Sequence, residues 1–544
     1  MPTAKKFFNT EGPGIPEDHY MVDPLRRIDY DEIATLIGQK RYFVLHAPRQ
    51  TGKTTSLLAM VKKINEEGRY HCVYMNVESA QTARDDVEAG MRAILTELGE
   101  KVKRFLDDAA PLKEVPKLLA DSGGHKALSS MLSAFCQKIS RPLVLFIDEI
   151  DALAGDTLVS VLRQLRAGYE SRPQVFPISV VLCGVRDVRD YRIHTSKGDI
   201  VTGGSCFNIK AASLRLGDFS QEEVRELYEQ HTAATGQVFE ENIYPRVWAL
   251  TRGQPWLVNA LALQATFKMK ENRDRSRPIT LNTIEEAAEQ LIIERATHLD
   301  QLTDKLREER VRRVIAPMIA GEEWPEDSIP NLDDVQYVID LGLIRQEGKR
   351  LSIANDIYRE VIPRDLTTIT QFNMASRPDQ PWYVRPDGRL DTRKLIREFQ
   401  RFCRENIESW LERFDYKEAG FQLLLQAFLQ RIVNGGGLID REYALGSGRV
   451  DLLVRWRVKT SDTPARDAPE QRFVLELKTI RQKSRDPNRA LSDGLEQTAR
   501  YAQRSNAEEA HLIICDERSG RSWDEKIYER AEHRDGREIH VWGV

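Results

Sequence analysis

The chain has 544 residues, of which 41% are hydrophobic and 30% charged, and its formal net charge is −4. One hydrophobic core does not fill a chain of this length, so roughly three or four separately cored domains are expected. No apolar run is long enough to span a bilayer, and the start Met1-Pro-Thr-Ala-Lys-Lys-Phe-Phe leads into no apolar secretory core. No membrane partner and a cytoplasmic location are therefore expected. The negative balance gives no global attraction to nucleic acid, so any such affinity has to come from local basic surfaces. Cys72, Cys136, Cys183, Cys206, Cys403 and Cys515 are scattered singly, several of them inside apolar runs, which implies neither a zinc ribbon nor a disulfide framework.

The first element is a short apolar run, Tyr42–His46, which ends at a turn and is followed by a helical pattern over Thr54–Ile64. Between them lies Ala47-Pro-Arg-Gln-Thr-Gly-Lys-Thr-Thr55, which matches the phosphate-loop pattern G-x-x-x-x-G-K-[ST] except for Ala47 at its first position. Polyphosphate binding needs backbone N–H groups converging at a helix start, a lysine for the terminal phosphates and a hydroxyl for Mg²⁺. Gly52, Lys53, Thr54 and Thr55 supply these, and ATP with Mg²⁺ is the expected ligand. Runs at Cys72–Met75, Leu143–Ile147 and Ile178–Leu182 have strand length without alternation, as in a parallel sheet covered on both faces. Leu143–Ile147 leads into Asp148-Glu149-Ile-Asp151, which resembles a Walker B element, with Asp148 ordering the Mg²⁺ shell and Glu149 polarising the attacking water. A later strand ends in Gly184-Val-Arg186, placing Arg186 as a γ-phosphate sensor. Arg163, Arg166, Arg189 and Arg192 are arginine-finger candidates by position alone.

From Ser220 the pattern is helical, opening on the capping box Ser220-Gln-Glu-Glu223 ahead of Val224, Leu227 and Tyr228. A helix around Val335–Ile339 followed by Gly342-Leu-Ile344, a turn at Glu347-Gly-Lys349 and Leu351-Ser-Ile353 reads as a winged helix. Arg364–Asp391, rich in Pro, Asp and Arg, reads as a linker. A long helical stretch to about Asn434, strands at Val450–Val458 and Phe473–Leu477, a helix over Gly494–Gln503 and a strand at Ala510–Cys515 then form a second α/β domain.

Gly253-Gln-Pro255 resembles the Gly-x-Pro signature of the STAND class of signal-transduction ATPases, relatives of the origin-recognition AAA+ proteins that commonly carry a winged helix after the lid. The resemblance implies that Pro255 contacts the nucleotide base and reports it to the lid. Resemblance of the chain as a whole to a bacterial family of ATPase fusions of about this length implies that the stretch from Phe8-Asn-Thr-Glu-Gly-Pro-Gly to Tyr20 contributes to the nucleotide pocket.

In the C-terminal region Gly448-Arg-Val-Asp451 and Phe473-Val-Leu-Glu-Leu-Lys478 resemble the PD-(D/E)xK nuclease core. In that chemistry two carboxylates on neighbouring strand ends hold one or two Mg²⁺ ions. A lysine two residues on, pointing the same way because strands alternate, orients the attacking water. Asp451, Glu476 and Lys478 fit these roles, with Asp451 and Glu476 as metal ligands. Gln497-Thr-Ala-Arg-Tyr501 puts Gln497 and Tyr501 on one helical face and resembles the extra motif of nuclease domains in bacterial recombination helicase-nucleases. The core's first helix usually adds an acid, for which Glu418 is the candidate and Glu442 its rival. Glu347-Gly-Lys349 has the same triplet as Glu476–Lys478 but lies in a turn. The basic loop Arg481–Arg489 could hold a phosphate backbone or be a solvated loop.

The whole resembles a bacterial fusion of an AAA/STAND-like ATPase to a PD-(D/E)xK domain. The implied fold is an α/β multidomain chain: a P-loop parallel-sheet core at 1–215, a helical lid at 216–300, a winged helix at 301–364, a linker at 365–391 and a restriction-endonuclease-like domain at 392–544. The implied activity is a Mg²⁺-dependent DNA endonuclease gated by ATP, with DNA and a second copy of the chain as partners and defence against foreign DNA as a setting. A DNA- or protein-binding regulator with a non-catalytic nuclease fold is the alternative.

Overall fold

The computed structural model describes residues 6–187, 191–196, 198–294, 304–319, 331–348, 350–363, 383–411, 421, 424–425, 428–429, 437–443, 450–458, 469–480, 487–516, 518 and 520–544. The chain divides into two compact units. The first comprises residues 1–298, 339–346 and 354–357; the second comprises 299–338, 347–353 and 358–544. Among the described residues no helix is long and apolar enough to cross a membrane.

The first unit opens with α1 (Tyr30–Gly38), β1 (Tyr42–His46), α2 (Lys53–Glu67), β2 (His71–Asn76) and α3 (Val87–Leu106). It continues with α4 (Ala110–Ser122), α5 (Gly124–Cys136), β3 (Leu143–Asp148), α6 (Gly155–Ala167) and β4 (Ser179–Gly184). A small ribbon of β5 (Arg192–His194) and β6 (Ile200–Thr202), the turn-length α7 (Gly203–Cys206) and β7 (Lys210–Arg215) follow. Five strands pair in parallel in the order β2-β3-β4-β1-β7. Successive side chains of a strand face opposite ways, and the two faces have separate cores. Tyr42 and Val44 join the side covered by α3 to α6, whereas Phe43 and Leu45 join the side covered by α1 and α2. Strand β7 escapes a sequence reading because Lys210–Arg215 is a half-buried edge with none of the continuous apolar content of its neighbours.

Next come the helices α8 (Gln221–Thr235), α9 (Ile243–Thr251), α10 (Pro255–Leu263) and α11 (Leu281–Ile293). Helix α8 starts on a reciprocal capping box: Glu223 N donates to Ser220 Oγ (3.2 Å) and Ser220 N donates to Glu223 Oε2 (2.8 Å). Two helices, α12 (Glu309–Ile319) and α13 (Leu332–Asp340), precede the two-stranded ribbon β8 (Ile344–Glu347) and β9 (Arg350–Ile353). Arg310 and Arg313 of α12 both reach Asp334, at 3.3 and 2.8 Å.

The remainder of the second unit contains α14 (Thr392–Leu411), β10 (Gly437–Tyr443), β11 (Val450–Arg457), β12 (Glu470–Ile480) and α15 (Pro487–Arg504). It ends with β13 (Glu509–Asp516), α16 (Trp523–Lys526), β14 (Tyr528–Arg534) and β15 (Arg537–Gly543). The six strands form one mixed sheet in the order β10-β11-β12-β13-β15-β14, with β12, β13 and β15 parallel at its centre. Helix α15 buries Ala499, Tyr501 and Ala502 against Val474, Leu512 and Ile514. The end of the stretch expected to be a linker folds onto this sheet. Gln471 exchanges hydrogen bonds with the main chain of Leu390 (2.9 and 3.2 Å), and Trp456 Nε1 donates to Gly388 O (2.9 Å).

Glu509, at the start of β13, accepts from Thr392 Oγ1 and lies 3.2 Å from His511 Nε2. Burial pushes its carboxyl up, but the hydrogen bonds from His511 and Thr392 override this and hold it down at about 2. A depressed carboxylate contributes stability that is present above its ordinary value near 4.5 and is lost as pH falls toward about 2. Glu509→Gln should lower the urea stability of this unit at neutral pH by roughly 1–3 kcal/mol. It should also flatten the decline between those two pH values, and an unchanged acid limb in urea melts would show that Glu509 contributes nothing to it.

Candidate functional site

Residues singled out from the sequence fall in both units. In the first, β1 delivers the chain to the loop Ala47–Thr55 and α2 starts at Lys53. Thr51 Oγ1 closes the loop on Pro48 O (2.7 Å), and the buried Lys53 Nζ donates to Ala47 O (3.2 Å) and Pro48 O (3.1 Å). Gly52 takes the N-cap position with no side-chain cap, so the first amides of α2 point out of the helix. Thr54 Oγ1 donates to Asp148 Oδ2 (2.7 Å), which also accepts from Tyr74 OH (3.0 Å). Asp148 Oδ1 accepts the N–H of Glu149 (3.0 Å). Thr54, in the first turn of α2, thus stands with Asp148 and Glu149 at the carboxyl end of β3. Burial raises the Glu149 carboxyl above its ordinary value, opposed by the charge of Lys53.

Thr55 has a different setting. Its Oγ1 accepts the N–H of Gly14 (3.0 Å), tying the N-terminal stretch to α2. That stretch is also held by Trp256, whose Nε1 donates to Thr10 O (2.9 Å). Between these ties lies a cavity of about 790 Å³ bordered by Asn9, Gly12, Gly52, Thr55, Pro255 and Trp256. Pro255 is therefore brought to the loop, at the first turn of α10, where Gln254 is the N-cap and accepts from Leu257 N (2.6 Å). Gly253 has φ +77°, and a Cβ there would collide with the carbonyl oxygen of Phe219. That is why the motif needs glycine.

Arg186 lies beyond β4, with its Nε 3.8 Å from the buried Asp340 Oδ2. Arg163 and Arg166 are exposed on α6, and Arg166 Nη1 donates to Ser205 O (3.3 Å). Arg192 falls within β5, and Arg189 lies outside the described residues. Tyr74 and Trp256 belong to no motif. Only their contacts with Asp148 and Thr10 reveal them.

In the second unit, β11 runs antiparallel to both neighbours, and the register places Glu442, Asp451 and Glu476 as successive partners across β10, β11 and β12. The Glu476 carboxylate is fully buried and pairs with Lys478 Nζ, which also donates to Gln497 Oε1 (2.7 Å) on α15. Tyr501, one turn later, is buried. Helix α15 comes close because of Gly494, where a Cβ would lie 3.0 Å from Leu512 Cδ1 and 3.2 Å from Lys478 Cγ. Glu418 and the basic residues Arg481, Lys483 and Arg485 lie outside the described residues. Among the described residues no group of three or more His, Cys, Asp or Glu side chains is gathered as a metal site.

A family model described as an AAA domain matches residues 36–191. No curated protein matches the chain. Among solved structures, the Walker-type ATPase PABY2304 of Pyrococcus abyssi is 14% identical with a TM-score of 0.45, covering 65% of this chain and 99% of its own. Cdc6p from Pyrobaculum aerophilum is 12% identical with a TM-score of 0.34, covering 63% of this chain and 95% of its own. The RuvB Holliday junction branch migration motor of Thermotoga maritima is 12% identical with a TM-score of 0.32, covering 62% and 95%. These likenesses extend over two thirds of the chain at most. Residues 36–191, with the loop Ala47–Thr55, are an ATPase domain of the AAA, P-loop type, for which ATP binding is expected.

The Glu476–Lys478 pair makes a clear stability prediction. Lys478→Met takes the ammonium from a buried carboxylate and should cost about 3–5 kcal/mol in chemical denaturation. The double variant Glu476→Gln with Lys478→Met should recover most of that loss, since no buried charge is left. Equal losses in the single and double variants would mean that the pair is not coupled.

Proposed function

We propose that this chain is an ATP-binding and ATP-hydrolysing, Mg²⁺-dependent DNA endonuclease, in which the AAA-type domain gates cleavage as a switch and not as a processive motor. One observation carries the nuclease part: Lys478 bridges Glu476, two residues before it on β12, to Gln497 on the separate helix α15, and Glu476 is in register with Asp451. A structural ion pair in a sheet core has no need of a paired acid on the next strand and a glutamine from a separate helix.

The donors fit a hard divalent ion. Carboxylate oxygens at Glu476 and Asp451, with Glu442 at the next register position, are the type that Mg²⁺ takes, and no soft ligand is among them. Mg²⁺ bound there would polarise a scissile phosphodiester and acidify a water. Lys478, held by Gln497, would orient that water and balance the charge that develops on the phosphate. In the ATPase domain Thr54 and Asp148 would hold the Mg²⁺ of the nucleotide, Lys53 would meet its terminal phosphates, and Glu149 would polarise the hydrolytic water. Arg186 would sense the γ-phosphate and Pro255 would report the base. A second copy of the chain and DNA are the proposed partners, with defence against foreign DNA as the proposed setting.

The test uses the purified chain with linear and circular DNA and Mg²⁺, with and without ATP. Cleavage should depend on Mg²⁺ and fall roughly 10²–10⁴-fold in Lys478→Ala and in Glu476→Ala. Glu149→Gln should abolish ATP turnover and alter the nucleotide dependence of cutting. DNA that stays intact under every nucleotide condition, in wild type and variants alike, would instead favour a binding regulator with a non-catalytic nuclease fold. ATP consumption that scales with DNA length would favour a motor.

A further inference from the structure

Arg27 belongs to no motif. It ends a short 3₁₀ turn, Pro24–Arg27, and lines the same cavity as Gly52, Thr55 and Pro255. Its Nη1 lies so near the phosphate loop that a Cβ on Gly52 would sit 3.0 Å from it. On its other side Nε donates to Gly217 O (3.1 Å), Nη2 donates to the same oxygen, and the guanidinium lies 5.0 Å from the centre of the Phe219 ring. Among the described residues its hydrogen bonds end on that single carbonyl, and no carboxylate lies within ion-pair distance.

Burial lowers the guanidinium to about 10, opposed by the charges of Asp218 and Glu223, so it stays a cation at neutral pH. A half-buried cation bonded only to a neutral carbonyl is a costly arrangement that an anion would relieve. The first-turn amides of α2, beside the same cavity, favour an anion as well. A guanidinium presents its donors as a planar fork, so one edge can keep Gly217 while the other takes a phosphate oxygen.

We propose that Arg27 is a nucleotide-phosphate ligand supplied from within the same chain, gripping the phosphate held at Gly52 and linking it to the lid. The link is the segment Gly217–Phe219. Phe219 N donates to Gly253 O (2.9 Å), so the piece of chain that Arg27 holds is bonded to the Gly253-Gln-Pro255 turn at the head of α10. A shift of Arg27 toward phosphate therefore pulls on the lid through two hydrogen bonds. This inference rests on the nucleotide-binding reading of Ala47–Thr55.

The experiment is isothermal titration calorimetry of the full chain with ADP and Mg²⁺, paired with adenosine binding followed by saturation-transfer NMR. Arg27→Ala should weaken ADP roughly 10- to 100-fold, the loss of one charge-assisted contact, and leave adenosine binding unchanged. Arg27→Lys keeps the charge and should restore part of the ADP affinity, although it cannot rebuild the fork on Gly217. Hydrogen exchange at residues 217–219 and 253–255 should slow on ADP binding in wild type but not in Arg27→Ala. ADP affinity unchanged in Arg27→Ala, or ADP and adenosine weakened by the same factor, would make Arg27 a strut and overturn the proposal. Lys53→Ala is the control: if it binds ADP as well as wild type does, or if wild type binds none, the nucleotide reading itself fails and the proposal falls with it. If the Ala variant does not fold, the Lys variant decides, since a strut and a phosphate ligand predict opposite ADP-to-adenosine ratios for it.

Discussion

Asp148 and Glu476 are carboxylates with no exposed surface, one in each unit. Taking such a group from water costs several kcal/mol unless donors converge on it, so the surroundings of each are dictated by that requirement. Asp148 is satisfied by Thr54 from α2, Tyr74 from β2 and the backbone of Glu149. Those three donors come from three separate pieces of chain, which fixes the phosphate-loop helix against β3 and the neighbouring strand. Glu476 is met by Lys478 on its own strand, and Lys478 is in turn held by Gln497, which fixes α15 against β12. In both units the polar site is also the anchor between a helix and a sheet.

That dual role decides what the sequence discloses. The residues from Ala47 to Thr55 and the pair Asp148-Glu149 are legible because their chemistry is contiguous: a strand, a turn and a helix start occur in one short stretch with a fixed spacing. Arg27, Tyr74 and Trp256 are not legible, since each acts from a segment whose local pattern is ordinary and matters only through what the fold brings beside it. The register of Asp451 with Glu476 is equally hidden, because the long polar loop between their strands imposes no alignment. The hairpin β14–β15 goes unread for a different reason. Tyr528–Arg534 is largely exposed and charged, as an edge strand can be, and carries none of the apolar content by which the inner strands are recognised.

Gly253-Gln-Pro255 is three residues with three separate duties. Gly253 leaves room for the carbonyl of Phe219, Gln254 caps α10 and reaches Gln50 O at 3.4 Å, and Pro255 fills the first helical position, where a missing N–H costs nothing. The turn is consequently bonded on one side to the segment leaving β7 and on the other to the phosphate loop. The head of α10 cannot shift without changing one of these two hydrogen bonds.

Glu149 adds the last constraint. Its backbone is left-handed, with φ +56°, a conformation that costs a non-glycine residue roughly 1–2 kcal/mol. The conformation is kept because the Glu149 N–H is bonded to Asp148 Oδ1 and the short turn Ile150–Ala152 follows at once, with Ala152 N donating to Glu149 O (2.9 Å). An extended residue at this point would carry the chain straight on from β3; the left-handed one turns it at the strand end, beside Lys53 and Thr54. The same buried carboxylate that anchors α2 therefore also holds the strained residue next to it, so the position of Glu149 is set by Asp148 before any ligand arrives.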